Sequence, residues 1–288
     1  MTLSRGISIL PATLDAVLHP RPDQQLPTPP GQRSATLAAW ARAWRAGLVS
    51  FDEVLDELHA VNPGDEHLVR WPDDNQTPLA NALTTFSRLS PDGVRLVLPA
   101  AGDPRGLPGP GPFSSAALVA GEGVVLGSSG LVPEPPPEPG RHNGVPLEAA
   151  DRWSGTHWVA YPLPEPVLPA EPLTLSEADH DLTMALTEAI GALRTLDVAR
   201  LPPGLARGLA ALRGEGSGGP TLPVGYGARA RRLSARASTI AGVLALAAAD
   251  PPGAAVTAHE TAARDAALRP LATAVRRARM ASVNAPLE

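Results

Sequence analysis

The sequence contains no cysteine and no lysine, so all 24 basic residues are arginine. Without cysteine the chain has neither disulfide bonds nor thiolate chemistry. Without lysine it has no Schiff-base nucleophile, no P-loop lysine and no protein-kinase β3 lysine. Pyridoxal-phosphate enzymes, P-loop nucleotidases and protein kinases are therefore excluded. A chain that lacks lysine but is rich in alanine, proline and arginine is typical of a GC-rich bacterial genome.

Aromatic residues are also scarce, at 3% of the 288 residues, whereas hydrophobic residues make up 43%. The core must therefore be built mainly from alanine, leucine and valine. Such side chains each gain little free energy on burial. We expect long apolar stripes on the helices, completed by a partner chain or by a second copy in a homodimer.

Long hydrophobic runs are missing as well. The longest, residues 240–249, is about half the length that a membrane span requires. The first ten residues are too short and too interrupted for the apolar region of a signal peptide. We therefore predict a cytoplasmic protein that does not enter a membrane.

The charge is unevenly distributed along the chain. Residues 1–193 hold 11 arginines and 23 acidic residues, a formal charge of −12. Residues 194–280 hold 13 arginines and 5 acidic residues, a formal charge of +8. This asymmetry is the most informative global feature, because it predicts that the two parts attract each other or an external partner.

The N-terminal pattern predicts helices and then strands. Apolar residues at helical spacing indicate a helix over 34–45. Ser50 and Glu53 form a capping box for a second helix, and a third is predicted over 79–89. The character changes at Val94, where alternating residues begin.

Four segments are predicted as strands: 94–98, 116–120, 124–126 and 158–161. The second and third are expected to pair as a hairpin through Gly121-Glu122-Gly123. Together with the preceding helices they predict an α+β fold with a small, mostly antiparallel sheet.

Three proline-rich segments, 20–33, 102–112 and 133–140, are predicted as loops. With them, residues 1–172 form the predicted α+β domain. Residues 173–288 form a second, all-helical domain that is rich in alanine and arginine, with a flexible break near 214–222.

The predicted helices of the C-terminal part span 176–196, 228–249 and 257–283. The first two carry apolar stripes over Leu182–Leu196 and Leu233–Leu244. Either stripe is suited to a homodimer. Pro270 should kink the last helix or end it.

No motif in the sequence supports a cofactor, a metal or a catalytic group. Gly214–Gly219 fits G-x-G-x-x-G by letter, but no strand precedes it and Pro220 follows it. Asp179, His180 and Asp181 are consecutive on a helix, so their side chains diverge and cannot share one ion. We therefore predict no cofactor, no metal and no catalytic residue.

Two groups of residues are candidates for binding. Asp103 and Arg105 lie in the glycine-rich loop 102–112, where backbone amides and a guanidinium could hold an anion, although its prolines lack N–H groups. Trp40 and Trp44 lie one helical turn apart, as core residues or as anchors for a partner.

Arginines crowd the start of the helix over 228–249, where the helix dipole does not favour them. Arg229, Arg232 and Arg236 are the candidate interaction residues, and their counterpart is the acidic part of the chain or an external anion. Nucleic acid is the less favoured anion, since the segment lacks stacking aromatic residues.

Three functions remain open at this point. The preferred one is a non-enzymatic protein-interaction or scaffold protein, whose partner is another protein or a second copy. The alternatives are an enzyme or ligand-binding protein that uses the loop 102–112, and nucleic-acid binding through the C-terminal arginines.

Overall fold

Helices lie before and after a six-stranded sheet in the computed structural model, which describes residues 30–61, 67–134, 156–163, 173–195, 221–249 and 258–288. The helices are α1 (Gln32–Arg45), α2 (Phe51–Val61), α3 (Leu79–Thr85), α4 (Pro112–Ala120), α5 (Leu175–Thr195), α6 (Ala228–Ala249) and α7 (Ala258–Val283). The strands are β1 (Leu68–Arg70), β2 (Gln76–Pro78), β3 (Val94–Val97), β4 (Gly123–Leu126), β5 (Ser129–Pro133) and β6 (His157–Pro162). The predicted α+β fold, with helices in the C-terminal part, is confirmed.

The strands follow the order β2-β1-β6-β5-β4-β3. Strands β1 and β6 pair in parallel, with Val69 opposite Trp158, and the other neighbours pair antiparallel. Alternate residues of the central strands face opposite sides of the sheet. Leu126 lies in the apolar cluster with α1, whereas its neighbour Val125 lies in the cluster with α4. The sheet is therefore covered by helices on both faces.

The predicted strand over 116–120 is wrong, because these residues belong to α4. Pro112 begins the helix at a position where its missing N–H and fixed φ are tolerated. Phe113 and Ala117, four residues apart, then face the sheet together. Strand β4 pairs instead with β5, through the turn at Gly127 and Ser128.

Each of the three predicted loops gives up one or more residues to a neighbouring helix or strand. The loop 102–112 ends before Pro112, and the loop 133–140 loses Pro133 to β5. In the loop 20–33, α1 begins at Gln32. Residues 20–29 and 135–140 lie outside the described residues.

Of the predicted flexible break near 214–222, only residues 221 and 222 lie within the described residues. Leu222 is buried in the core. The carbonyl oxygen of Thr221 accepts a hydrogen bond of 3.1 Å from the indole N–H of Trp40. Residues 221–222 are thus fixed against α1.

Helix α1 lies at the centre of the α+β part. Nearly every residue from Gln32 to Ala43 is buried, and Arg33 is the half-buried exception. The helix packs against β3, β4 and β5 on one side and against α2 and α7 on others. Glu122, in the turn before β4, accepts a hydrogen bond from the backbone N–H of Ser34. The helix is therefore held by residues from both ends of the chain.

Strand β3 forms one edge of the sheet, and the C-terminal helix covers that edge. The side-chain amide of Asn284 accepts from the N–H of Leu96 at 2.8 Å and donates to its carbonyl at 2.9 Å. The Sδ atom of Met280 accepts from the N–H of Leu98 at 3.1 Å. These bonds satisfy backbone groups that an open edge would present to other chains.

The C-terminal helices form an assembly in which α7 packs against both α5 and α6. Its core contains Leu182 of α5, Leu233 of α6 and Val275 of α7. The described apolar residues of the stripes that were predicted as dimer faces thus pack within the chain. Helix α7 is continuous through Pro270. None of the described helices is both long and apolar enough to cross a bilayer.

Candidate functional site

The site with the clearest geometry is an open groove of about 480 Å³ between α5 and α7, which we call the α5–α7 groove. It is lined by Asp181, Met184, Ala185 and Glu188 from α5 and by Ala266, Arg269, Pro270, Thr273, Ala274 and Arg277 from α7. Ala185 and Ala274 are buried and form its floor. The side chain of Met184 stands beside them with 48% of its surface exposed.

The two walls of the groove carry opposite charges. The α5 wall presents the carboxylates of Asp181 and Glu188, and the α7 wall presents the guanidinium groups of Arg269 and Arg277. Among the described residues no ion pair joins one wall to the other. Asp181, Glu188 and Arg269 are therefore available to an occupant, whereas Arg277 also forms an ion pair with Asp103 of the loop 102–112.

Pro270 adds a polar group to the groove. A proline inside a helix lacks the N–H that the carbonyl four residues earlier would accept from. Here that carbonyl belongs to Ala266, which also lines the groove. Because α7 continues to Val283, the helix carries a carbonyl oxygen at the groove that cannot be paired in the usual way.

An arginine cluster adjoins the groove at Arg277. Its Nη2 atom lies 3.1 Å from Asp103 Oδ1, and Arg276 Nη2 lies 3.4 Å from Asp103 Oδ2. Arg105 Nε lies 3.8 Å from the same carboxylate. Three guanidinium groups thus surround one buried carboxylate and leave an excess of positive charge.

Of the two residues predicted for a ligand loop, Asp103 is buried, and its carboxylate fastens the loop to α7. Arg105 points outward, and 59% of its side chain is exposed. The partners Arg276 and Arg277 follow Asp103 by more than 170 residues. Only the opposite net charges of the two parts of the chain hinted at this contact.

Arg279, the third arginine near the end of α7, is buried. Burial lowers the pKa of Arg279 to about 10, and the nearby carboxylate of Glu122 opposes that shift. Its Nη1 atom donates to the carbonyl of Pro30, while Nε and Nη2 have no hydrogen-bond partner among the described residues. Arg279 thus contacts the start of α1 and does not reach the α5–α7 groove.

The predicted basic cluster at the start of α6 does not form one site. Arg236 Nη1 lies 2.9 Å from Asp179 Oδ1 and 2.9 Å from Thr183 Oγ1, so it joins α6 to α5. Arg229 and Arg232 are exposed. Between them, the exposed Arg231 donates three hydrogen bonds, to the carbonyl oxygens of Leu222, Pro223 and Tyr226.

The two candidate tryptophans differ in how deeply they are buried. Trp40 is a core residue, and its N–H is used by Thr221. Trp44 is half-buried, with its ring centroid 5.1 Å from that of Phe51. The guanidinium group of Arg45 covers the ring of Trp44 at 5.0 Å. Neither ring is a free anchor of the kind that an interface hot spot presents.

The residues Asp179, His180 and Asp181 also diverge. Asp179 faces α6, whereas Asp181 lines the α5–α7 groove. Within the ranges that the structure describes, no three histidine, aspartate or glutamate side chains are grouped so that they could hold a metal ion. The sequence analysis did not predict the groove residues Asp181, Met184 and Glu188. Pro270, inside α7, was the one feature of the sequence that marked the position of the groove.

Comparison with known proteins gives a consistent result. The profile of the Rv1486c-like protein, N-terminal domain, matches residues 34–172, and that of the Rv1486c-like protein, C-terminal domain, matches residues 176–280. The protein Rv1486c of Mycobacterium tuberculosis is 33% identical, with 88% of this chain and 96% of that protein aligned. The chain belongs to the Rv1486c-like family.

A second relative, ML1804 of Mycobacterium leprae, is 28% identical over 88% of this chain and 97% of its own length. Both relatives are named as uncharacterized proteins. Both relatives come from mycobacteria, and the composition of this chain predicts a bacterial source for it as well. No solved structure matches this sequence.

Proposed function

We propose that this Rv1486c-like protein is a non-enzymatic interaction or scaffold protein of the cytoplasm, and that the α5–α7 groove receives a partner protein. The observation that supports this proposal is the groove itself, with its apolar floor between oppositely charged walls. Protein interfaces have this arrangement, with an apolar centre inside a polar rim. Methionine is enriched at such centres, where Met184 stands.

The arrangement of the arginines supports a protein partner over nucleic acid. Arg236 pairs with Asp179, and Arg276 and Arg277 pair with Asp103. Phosphate binding needs several free cationic groups on one face. Of the three predicted interaction arginines, only Arg229 and Arg232 are exposed and without an ion pair among the described residues, which is fewer than a nucleic-acid surface requires.

Photo-crosslinking at Met184 tests the proposed interface. We expect benzoylphenylalanine in place of Met184 to give one discrete crosslinked product in cells, because this side chain stands in the groove that the partner fills. The matched control is Ile190, which is 45% exposed on the same helix and is not among the residues that line the groove. Equal crosslinking at the two positions, or none at Met184, would contradict the proposal.

The arginine cluster at Asp103 supports a second candidate function, the binding of a small anionic ligand by the loop 102–112. Three guanidinium groups share one carboxylate, and Arg105 is the most exposed of them. Arginine binds carboxylate and phosphate through paired hydrogen bonds, so a second anion fits this cluster.

A thermal-shift titration tests the second candidate. We expect inorganic phosphate to raise the melting temperature of the native chain beyond the effect of sodium chloride at the same ionic strength, because a ligand stabilises the state that binds it. Arg105→Gln should remove that increment, whereas the exposed Arg88→Gln should keep it. A native chain that responds equally to the two salts rules this site out.

A further inference from the structure

The α5–α7 groove is long enough to receive one α-helix. Along α7 it extends from Ala266 to Arg277. At a rise of 1.5 Å per residue this is about 16 Å, or about three helical turns. Helices pack by placing the side-chain ridge of one into the groove of another, so a helix fits here better than a flat surface does.

Within the part of the chain that the structure describes, the helices around the groove leave room for a fourth helix. Helix α7 packs against both α5 and α6, and these three helices share one apolar cluster. A helix laid between α5 and α7 would contact both of them and extend this cluster through Met184 and Ala185. Four helices that enclose a common core form a recurrent and stable arrangement.

The charges of the walls define the surface of that helix. Carboxylates stand on the α5 side, at Asp181 and Glu188, and guanidinium groups stand on the α7 side, at Arg269 and Arg277. A uniformly acidic helix would be repelled by the first wall, and a uniformly basic one by the second. Complementarity therefore requires opposite charges on the two flanks of the occupant.

Building on the proposed function, we infer that the partner presents an amphipathic α-helix of at least three turns with basic side chains along one flank and acidic side chains along the other. Its apolar residues, spaced i, i+3, i+4 and i+7, face Ala185, Met184 and Ala274. The basic flank lies against α5, and the acidic flank lies against α7. The carbonyl oxygen of Ala266 accepts a hydrogen bond from a polar side chain of this helix.

Three stapled helical peptides with the same apolar face test the inference on the full chain. One has an acidic flank and a basic flank, and the other two have both flanks acidic or both flanks basic. We expect the bipolar peptide to bind about tenfold more tightly than either uniform peptide, because each uniform peptide turns two attractive charge pairs along one wall of the groove into repulsive ones. Fluorescence anisotropy at low and physiological salt measures the three affinities, and the difference should shrink as salt screens the pairs.

A charge-reversed variant supplies a second readout. Arg269 is exposed and forms no ion pair among the described residues, so Arg269→Glu should leave the stability of the chain nearly unchanged. In this variant the α7 wall loses its positive excess. The bipolar peptide should then bind several-fold more weakly, and the uniformly basic peptide should bind more tightly than it does to the native chain.

The outcomes separate this inference from the proposed function. Equal affinity for the three peptides, or tighter binding of a uniform peptide to the native chain, overturns the inference. Failure of all three peptides to bind, together with a discrete crosslink at Met184, overturns the helical partner but leaves the interaction function. Preferential binding of the bipolar peptide without a crosslink in cells supports the chemistry of the groove and overturns its use in cells.

Discussion

Replacing Arg42 by leucine is expected to lower the free energy of unfolding by about 3–5 kcal/mol, because each buried acceptor that loses its donor costs about 1–3 kcal/mol. The residue is 1% exposed. Its Nη1 atom donates to the carbonyl oxygens of Pro91 and Val94 at 3.1 and 2.9 Å, and Nη2 donates to that of Ala285 at 2.8 Å. Leucine would leave these carbonyls without a donor in the interior.

Denaturant unfolding followed by tryptophan fluorescence measures this change. Arg88→Leu is the matched control, because Arg88 is exposed and should change the free energy by less than about 0.5 kcal/mol. Equal effects at the two positions would show that Arg42 does not join α1 to the end of the chain. The expected loss is a large fraction of the roughly 5–15 kcal/mol that stabilises an ordinary domain.

Periodicity and capping were sufficient to predict the long helices. The apolar spacing of α1, α2, α5, α6 and α7 is visible in a single sequence because each helix buries one or more faces. The predicted capping box of α2 is present: Ser50 N–H donates to Glu53 at 2.7 Å, and Glu53 N–H donates to Ser50 Oγ at 3.2 Å. Hydrogen bonds to the Glu53 carboxyl from the backbone N–H and from the side chain of Ser50 lower the pKa of this exposed group.

Two pairs of residues near the start of α5 have capping-box spacing, Thr174 with Glu177 and Ser176 with Asp179, and the structure uses the first. Helix α5 begins at Leu175, and Thr174 and Glu177 form its capping box, with N–H to oxygen distances of 3.0 and 3.2 Å. Both pairs have the right spacing in sequence. Asp179 is used elsewhere because Arg236 of α6 lies beside it, which local sequence does not reveal.

The two short strands β1 and β2 were not predicted, because they too depend on contacts with residues that are distant in sequence. β1 and β2 have three residues each, too few for an alternating pattern to stand out. Their existence depends on pairing, and β1 pairs with β6, whose residues come nearly 90 positions later. Such pairs are decided by the whole fold rather than by nearby residues.

The α5–α7 groove was harder still to predict, because it is formed by contacts between residues that are distant in sequence. The groove forms because α7 packs against α5, and α7 is fixed at its end by Asn284 on β3. The charges of Arg269 and Arg277 are visible in the sequence, but the acidic wall opposite them is not. A sequence gives the residue types of such a site, whereas packing decides which of them face each other.

A second large effect is expected where α4 packs on the sheet, at Gly130 of β5. A Cβ atom at this position would lie 2.2 Å from Phe113 Cδ2 and 2.4 Å from its Cε2. Because the ring of Phe113 is buried, it cannot move aside freely. Gly130→Ala should therefore lower the free energy of unfolding by about 2–3 kcal/mol, near the upper range for overpacking a core.

A double-mutant cycle tests whether contact with the Phe113 ring causes the loss of stability in Gly130→Ala. Phe113→Leu alone should destabilise by leaving a cavity, but in the Gly130→Ala background the new methyl group partly fills the space. We expect a favourable coupling of at least about 1 kcal/mol between the two substitutions, measured by denaturant unfolding of all four chains. Additive losses would mean that the ring does not lie against Gly130.

The control for Gly130 is the same substitution where there is open space. Gly191 lies on the exposed side of α5, and an added Cβ would meet no atom within 4 Å. Gly191→Ala should therefore stabilise the chain by about 0.5–1 kcal/mol, because alanine loses less backbone entropy than glycine in a helix. The two glycine-to-alanine changes are thus expected to have opposite signs. If both stabilised the chain, the packing of α4 against β5 would be contradicted, and with it the second helical layer of the sheet.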